Sequence, residues 1–180
     1  MMPRSRAKII AAAAEVCDVG KRLVAESSTV KIWRSIFDDT CRRAMLARLR
    51  TLEPDAPARW GRMNAPQMVA HLTDQMHHAL GDSHAQARPG RLRWRPVRYA
   101  AIYLLPWPKG RIKGPPEAFV TQPVSWSADV NALADLLERF AVRISERDWP
   151  DHALFGHMNG RDWGVFIHKH FDHHLRQFGA

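Results

Sequence analysis

Four of the ten histidines in this 180-residue chain fall within seven residues, in the run His168-Lys-His170-Phe-Asp-His-His174-Leu-Arg-Gln177. Two imidazoles four residues apart on a helix share one face about a turn apart, so both can grip a single cation. Spacing alone leaves two pairs open, because His173 and Gln177 are separated by the same interval as His170 and His174. The apolar pattern separates them. At about 100° per residue, Trp163, Phe166, Ile167, His170, His174 and Gln177 fall within one arc about 100° wide, and large apolar residues turn inward. His170 and His174 are therefore expected to point inward, with His173 at the edge of that face and His168 on the surface. A buried imidazole needs either a hydrogen-bond partner or a metal. A lone inward histidine is usually a satisfied core residue, but a stacked pair points to an ion.

A metal site needs a third ligand from another element. The segment opened by Asn64 and Pro66 reads as a helix to Leu80, stopped by Gly81. On it His71, Asp74, Gln75 and His78 share a face. His71 lies among Met68, Val69, Ala70 and Leu72, as a helix interior should, while His78 lies nearer the exposed end and is held in reserve. His77 points elsewhere. Asp74 has two readings: it orients a ligand imidazole or acts as a base, or it is a surface aspartate paired with an arginine. Gln177 either bonds a water on the metal or caps a neighbouring carbonyl, the second being preferred.

Three further segments complete the helical frame. Ile36–Leu52 places Ala44, Leu46, Ala47, Leu49 and Leu52 among arginines, and ends at Glu53-Pro54. Ser127–Glu146 carries Val130, Leu133, Leu136, Leu137, Phe140 and Ile144 at three-to-four spacing, and the last helix opens at Asn159 or Gly160 and runs to Phe178. The fold class is all-α: a four-helix bundle with one long crossover between its second and third helices. That connector holds Trp94, Tyr99, Tyr103 and Trp107, and Arg91–Leu105 could form a short helix ended by Pro106. It reads as a strap with its arginine stems on the bundle surface rather than a lid over the site. Residues 1–30 are set apart as an extension of uncertain structure, with the domain spanning 31–180.

The net charge of +9 is local. Residues 1–31 carry six basic side chains against three acids, and residues 88–113 carry eight and no acid. The rest holds 13 basic and 15 acidic residues, so nucleic acid is not the expected partner. No apolar run reaches the roughly 20 residues of a membrane span. The short run Ile9–Ala14, closed by Glu15 and Asp18, does not read as an export signal, and two cysteines, Cys17 and Cys41, make no disulfide framework. A cytoplasmic protein follows as the expectation. No glycine-rich phosphate loop and no nucleophile–base context stands out. A homodimer is left open.

The chain resembles the DinB-like superfamily of metal-binding four-helix bundles. The residues that carry the resemblance are Met68-Val-Ala-His71-Leu-Thr-Asp74 and His170-x-x-x-His174-x-x-Gln177, with Arg59-Trp60-Gly61 and Leu105-Pro-Trp-Pro-Lys-Gly110 pointing to an uncharacterised subgroup. They match from about Ile32 to Gly179. The resemblance implies that His71, His170 and His174 hold one divalent ion, Zn, Ni or Fe, with open positions for a ligand. It also implies activation of a low-molecular-weight thiol or a water for reaction with a small-molecule substrate. A non-catalytic metal-binding bundle and a nucleic-acid binder using the basic connector are the alternatives.

Overall fold

Three of the four long helices among the described residues start where the sequence supplies a side-chain acceptor for the free amides of a first turn. The computed structural model describes residues 33–110, 114 and 116–180, so the expectation for residues 1–30 lies outside the described residues. Helix α1, Asp39–Arg50, is capped by the Asp38 carboxylate, which accepts from the Cys41 amide at 2.8 Å. Helix α2, Ala65–Leu80, opens with a reciprocal pair: the Gln67 amide donates to the Asn64 side chain (2.8 Å) and the Asn64 amide to the Gln67 side chain (3.0 Å). It ends at Gly81, whose φ of 81° is the left-handed turn that favours glycine. Helix α3, Arg95–Tyr99, runs into a π turn at Ala100–Leu104, just short of Pro106. Helix α4 spans Trp126–Ala141, and α5, Gly160–Gln177, is capped by Asn159 accepting from the Asp162 amide at 2.9 Å. Single 3₁₀ turns occur at Arg91–Arg93, Pro116–Phe119 and Val142–Ser145. There is no strand among the described residues, and the fold is all-α.

Helix α2 lies along α4 and α1 along α5, with smaller contacts closing the remaining sides. The core between them is Met45 and Leu49 of α1, Met68, Leu72 and Met76 of α2, Leu133, Leu137 and Phe140 of α4, and Phe171 and Leu175 of α5, all buried. Each such side chain contributes roughly 1.5–3 kcal/mol relative to leaving it in water. At Gly164 an added Cβ would run into the Ser35 and Phe37 side chains, and the Gly164 carbonyl accepts from the Ile36 amide at 3.0 Å. The segment before α1 is thereby packed directly on α5.

The helix faces differ from the sequence expectation at several places. Ala44 and Ala47 are exposed, and Met45 takes the inward position. Ile144 is exposed, because α4 gives way after Ala141 to a 3₁₀ turn, whose tighter winding shifts the apolar register. His168, expected on the surface, is buried. The cause is that α5 is covered on both sides. Asp172 pairs with Arg48 of α1 at 2.8 Å and with Arg176 at 2.9 Å, while Lys169 donates to the Ala101 and Leu105 carbonyls of the connector, both at 2.6 Å.

Candidate metal centre

Three buried histidines, His71 from α2 and His170 and His174 from α5, bring one ring nitrogen each within 4.8 Å of the others. The Nε2 of His170 lies 3.2 Å from that of His71 and 3.1 Å from that of His174. In sequence His71 and His170 are 99 positions apart, and the α2–α5 contact closes that distance.

The protons of two rings are assigned by their partners. The Nδ1 of His71 lies 2.8 Å from the Ala118 carbonyl, which can only accept, so Nδ1 carries the hydrogen. On α5, the Gln177 Nε2 donates to the Trp60 carbonyl at 2.6 Å, which orients the amide and leaves its Oε1 facing His174 Nδ1 at 2.8 Å. His174 Nδ1 is therefore also the donor. Both Nε2 atoms present lone pairs to the same point. His170 has one proton in its neutral form, so it can serve at most one of them, and its Nδ1 has no partner among the described residues. Protein groups alone leave lone pairs opposed. A cation satisfies all three, and two nitrogens at ~2.0–2.1 Å from a tetrahedral ion would be about 3.3 Å apart. The donor set fits a divalent ion of the imidazole-preferring kind.

Electrostatics agree with this. Burial lowers the His71 pKa, burial followed by the neighbouring His174 and His71 lowers His170 well below the usual value, and burial takes His174 to about 3. All three rings are neutral near pH 7, the form that binds a metal.

The connector forms part of the site, which departs from its reading as a strap away from it. Phe119 stacks on His71 with centroids 4.8 Å apart, and Trp107 packs against His170 at 5.4 Å. Asp74 holds this end of the connector: its carboxylate accepts from the Val120 amide (2.8 Å), the Thr121 amide (3.1 Å) and the Thr121 hydroxyl (2.6 Å). Its hydrogen bonds thus go to neither an imidazole nor an arginine. It positions the Ala118 carbonyl that orients His71. Gln177 caps a carbonyl and orients His174 at once. The Arg59-Trp60-Gly61 segment meets it, with the Arg59 amide donating to the Gln177 carbonyl at 2.7 Å. Gly61, at φ 82°, has no room for a Cβ, which would lie 2.7 Å from Gln177 Nε2.

The reserve ligand, His78, is occupied elsewhere, accepting from the Ser83 hydroxyl at 2.7 Å and donating to the Glu117 carbonyl at 3.2 Å. Three of the connector's arginines are also engaged: Arg93 donates to the Ala153 carbonyl, Arg98 to those of Phe155 and His157, and Arg88 to Glu117. Arg111 and Lys113 lie outside the described residues.

The three histidines open onto a cavity of about 440 Å³, within the range of small-molecule sites. Trp107, Phe119 and Trp163 form much of its wall, and His152, which the sequence analysis did not single out, lines it as well. A lone loop histidine carries no spacing signal that could have found it. No protein-family model, no curated protein and no solved structure matches this chain.

Proposed function

We propose that this chain is a divalent-metal-dependent enzyme of the DinB-like type, acting on a small molecule with His71, His170 and His174 as metal ligands. The observation that carries the reading is the convergence of three neutral imidazole lone pairs at the wall of a cavity. Three neutral ligands leave an ion its full charge and open positions, the catalytic rather than the closed structural arrangement. Bound there, a Zn, Ni or Fe ion would supply Lewis acidity, lowering the pKa of a coordinated thiol or water toward neutrality.

The protein's own part is to hold and shield. Ala118 and Gln177 fix the ring orientations, Asp74 fixes Ala118, and Trp107 and Phe119 keep bulk water from the ligand face. The four-helix bundle with one long crossover belongs to this proposal, as does a cytoplasmic setting, for which the free thiol of Cys41 is the support. No described helix is long and apolar enough to cross a membrane.

Metal analysis of freshly purified protein comes first, with close to one equivalent expected in wild type and a large loss in His174→Ala. A panel of electrophiles is then assayed with and without cellular thiols, with chelator and the His174→Ala variant as the two controls. Thiol-dependent turnover lost in both controls supports a transferase, and thiol-independent turnover a hydrolase. Metal-replete but inert protein supports the non-catalytic bundle, and metal-free wild type overturns the reading altogether.

A further inference from the structure

The loop preceding α5 contains a five-residue turn closed by two backbone hydrogen bonds, His152 amide to Gly156 carbonyl (2.9 Å) and Gly156 amide to His152 carbonyl (2.8 Å). Inside it the His152 ring accepts twice at Nδ1, from the Leu154 amide at 3.1 Å and the Phe155 amide at 3.2 Å. An atom that accepts two amide hydrogens cannot carry its own, so the proton sits on Nε2. The ring packs on Phe155, Trp163 and Phe166, with centroids 4.9, 5.5 and 4.8 Å away. Arg93 and Arg98 brace the turn from outside through the Ala153, Phe155 and His157 carbonyls. Tautomer, plane and position are all set by the fold.

What remains is Nε2–H. It has no protein partner among the described residues, and it is not one of the sealed, unpaired polar atoms. His152 lines the same cavity as the three-histidine cluster, and Phe166 packs against both its ring (4.8 Å) and that of His170 (5.5 Å). The fixed donor therefore faces the cavity. Burial also holds the ring neutral, its pKa taken down to about 3, so it offers a hydrogen bond and no charge.

The cavity walls narrow the kind of molecule that would use it. They contain no lysine or arginine among the described residues, and Asp151, their one carboxylate, lies 3.5 Å from His157 at the exposed rim. Among the described residues a carboxylate or phosphate group would find no permanent cation there to compensate its desolvation. Trp107, Phe119 and Trp163 favour a flat apolar body.

We propose that His152 is a ligand-binding residue, its Nε2–H donating to a carbonyl-type oxygen of an uncharged, largely apolar molecule lodged between it and the three-histidine cluster. The binding itself does not depend on a metal. Only the description of that molecule as a substrate rests on the enzyme reading above.

The test uses the full chain, both metal-depleted and metal-loaded, with acetophenone as probe and ethylbenzene as the same shape without the acceptor. In His152→Asn the side-chain oxygen stands near the old Nδ1 position and keeps the turn's acceptor, while the Nε2 donor is removed. We expect this variant to weaken acetophenone roughly fivefold to tenfold, the worth of one hydrogen bond, and to leave ethylbenzene within about twofold. Benzoate should bind metal-depleted wild type more weakly than acetophenone. Equal weakening of both neutral probes, or no acetophenone binding by wild type, overturns the proposal. A second measurement needs no variant: ¹⁵N NMR of the wild-type imidazoles should show His152 as the Nε2–H tautomer, shifted by acetophenone, and an Nδ1–H tautomer overturns the idea outright. Persistence of the acetophenone effect after chelation, with turnover absent, would separate failure of the enzyme reading from failure of this one.

Discussion

Gln177 shows how much one side chain can do when each of its atoms has a different partner. Its amide nitrogen meets the Trp60 carbonyl and its oxygen the His174 ring, so the backbone of one segment sets the tautomer of a histidine on another. Groups that orient a metal-bound histidine in this way are typically worth about tenfold to a hundredfold in metal affinity. Gln177→Ala should lower metal affinity by that factor, read by competition with a chromophoric chelator, while leaving one site per chain. Unchanged affinity would mean the His174 orientation is held by packing alone. The sequence reading placed Gln177 on the inward face and preferred the carbonyl-capping role. The second bond, to His174, depends on rotamers that periodicity does not report.

At the scale of elements, the connector behaves as a wall fastened to α2 rather than as a strap outside the bundle. Asp74 is the fastening, with three hydrogen bonds to Val120 and Thr121 from a buried carboxylate. Hydrogen bonds to a charged acceptor contribute about 1.5–3 kcal/mol. Asp74→Ala should therefore cost on the order of 2–3 kcal/mol in denaturant unfolding. It should also raise amide exchange at Val120 and Thr121 well above that in mid-α4. A variant with native exchange at those amides would show that Phe119 stacking on His71 suffices to hold the wall. Neither sequence reading of Asp74, ligand orienter or surface ion pair, anticipated a backbone anchor forty-six residues away. Such a pairing has no local signature.

For the molecule as a whole, the concentration of buried neutral histidines makes acid the natural denaturant. Burial lowers the pKa of His71, His152, His168, His170 and His174, with His152 and His174 taken to about 3. Unfolded histidines titrate near 6.5. Below that pH the unfolded chain binds protons that the folded chain refuses, so stability is full above about pH 6.5 and falls as pH drops toward the folded values. For the buried His174 alone the loss between pH 6.5 and 5 is about 2 kcal/mol. Chelator-treated protein should therefore melt at progressively lower temperature from pH 7 to 5, with uptake of more than one proton on unfolding. A flat profile over that range would contradict the burial of these rings.

The long helices, the caps at Asn64 and Asn159, the stop at Gly81 and the inward pair on α5 were legible in the sequence, because period, N-cap chemistry and helix-stopping glycine act within a few residues. Asn64, Gly81 and Asn159 each act where they stand, and His170 and His174 are four residues apart on one helix. His71 could be nominated as their partner, but only α2 packing on α5 brings its Nε2 to 3.2 Å from that of His170. Tertiary structure alone decided the rest: which way each imidazole carries its proton, that His168 is covered, that Phe119 and Trp107 wall the site, and that His152 faces the same cavity. Each of these depends on a carbonyl, amide or ring brought from a distant segment. A residue's type states what it can donate or accept, and only the packed chain supplies the partner that determines which it does.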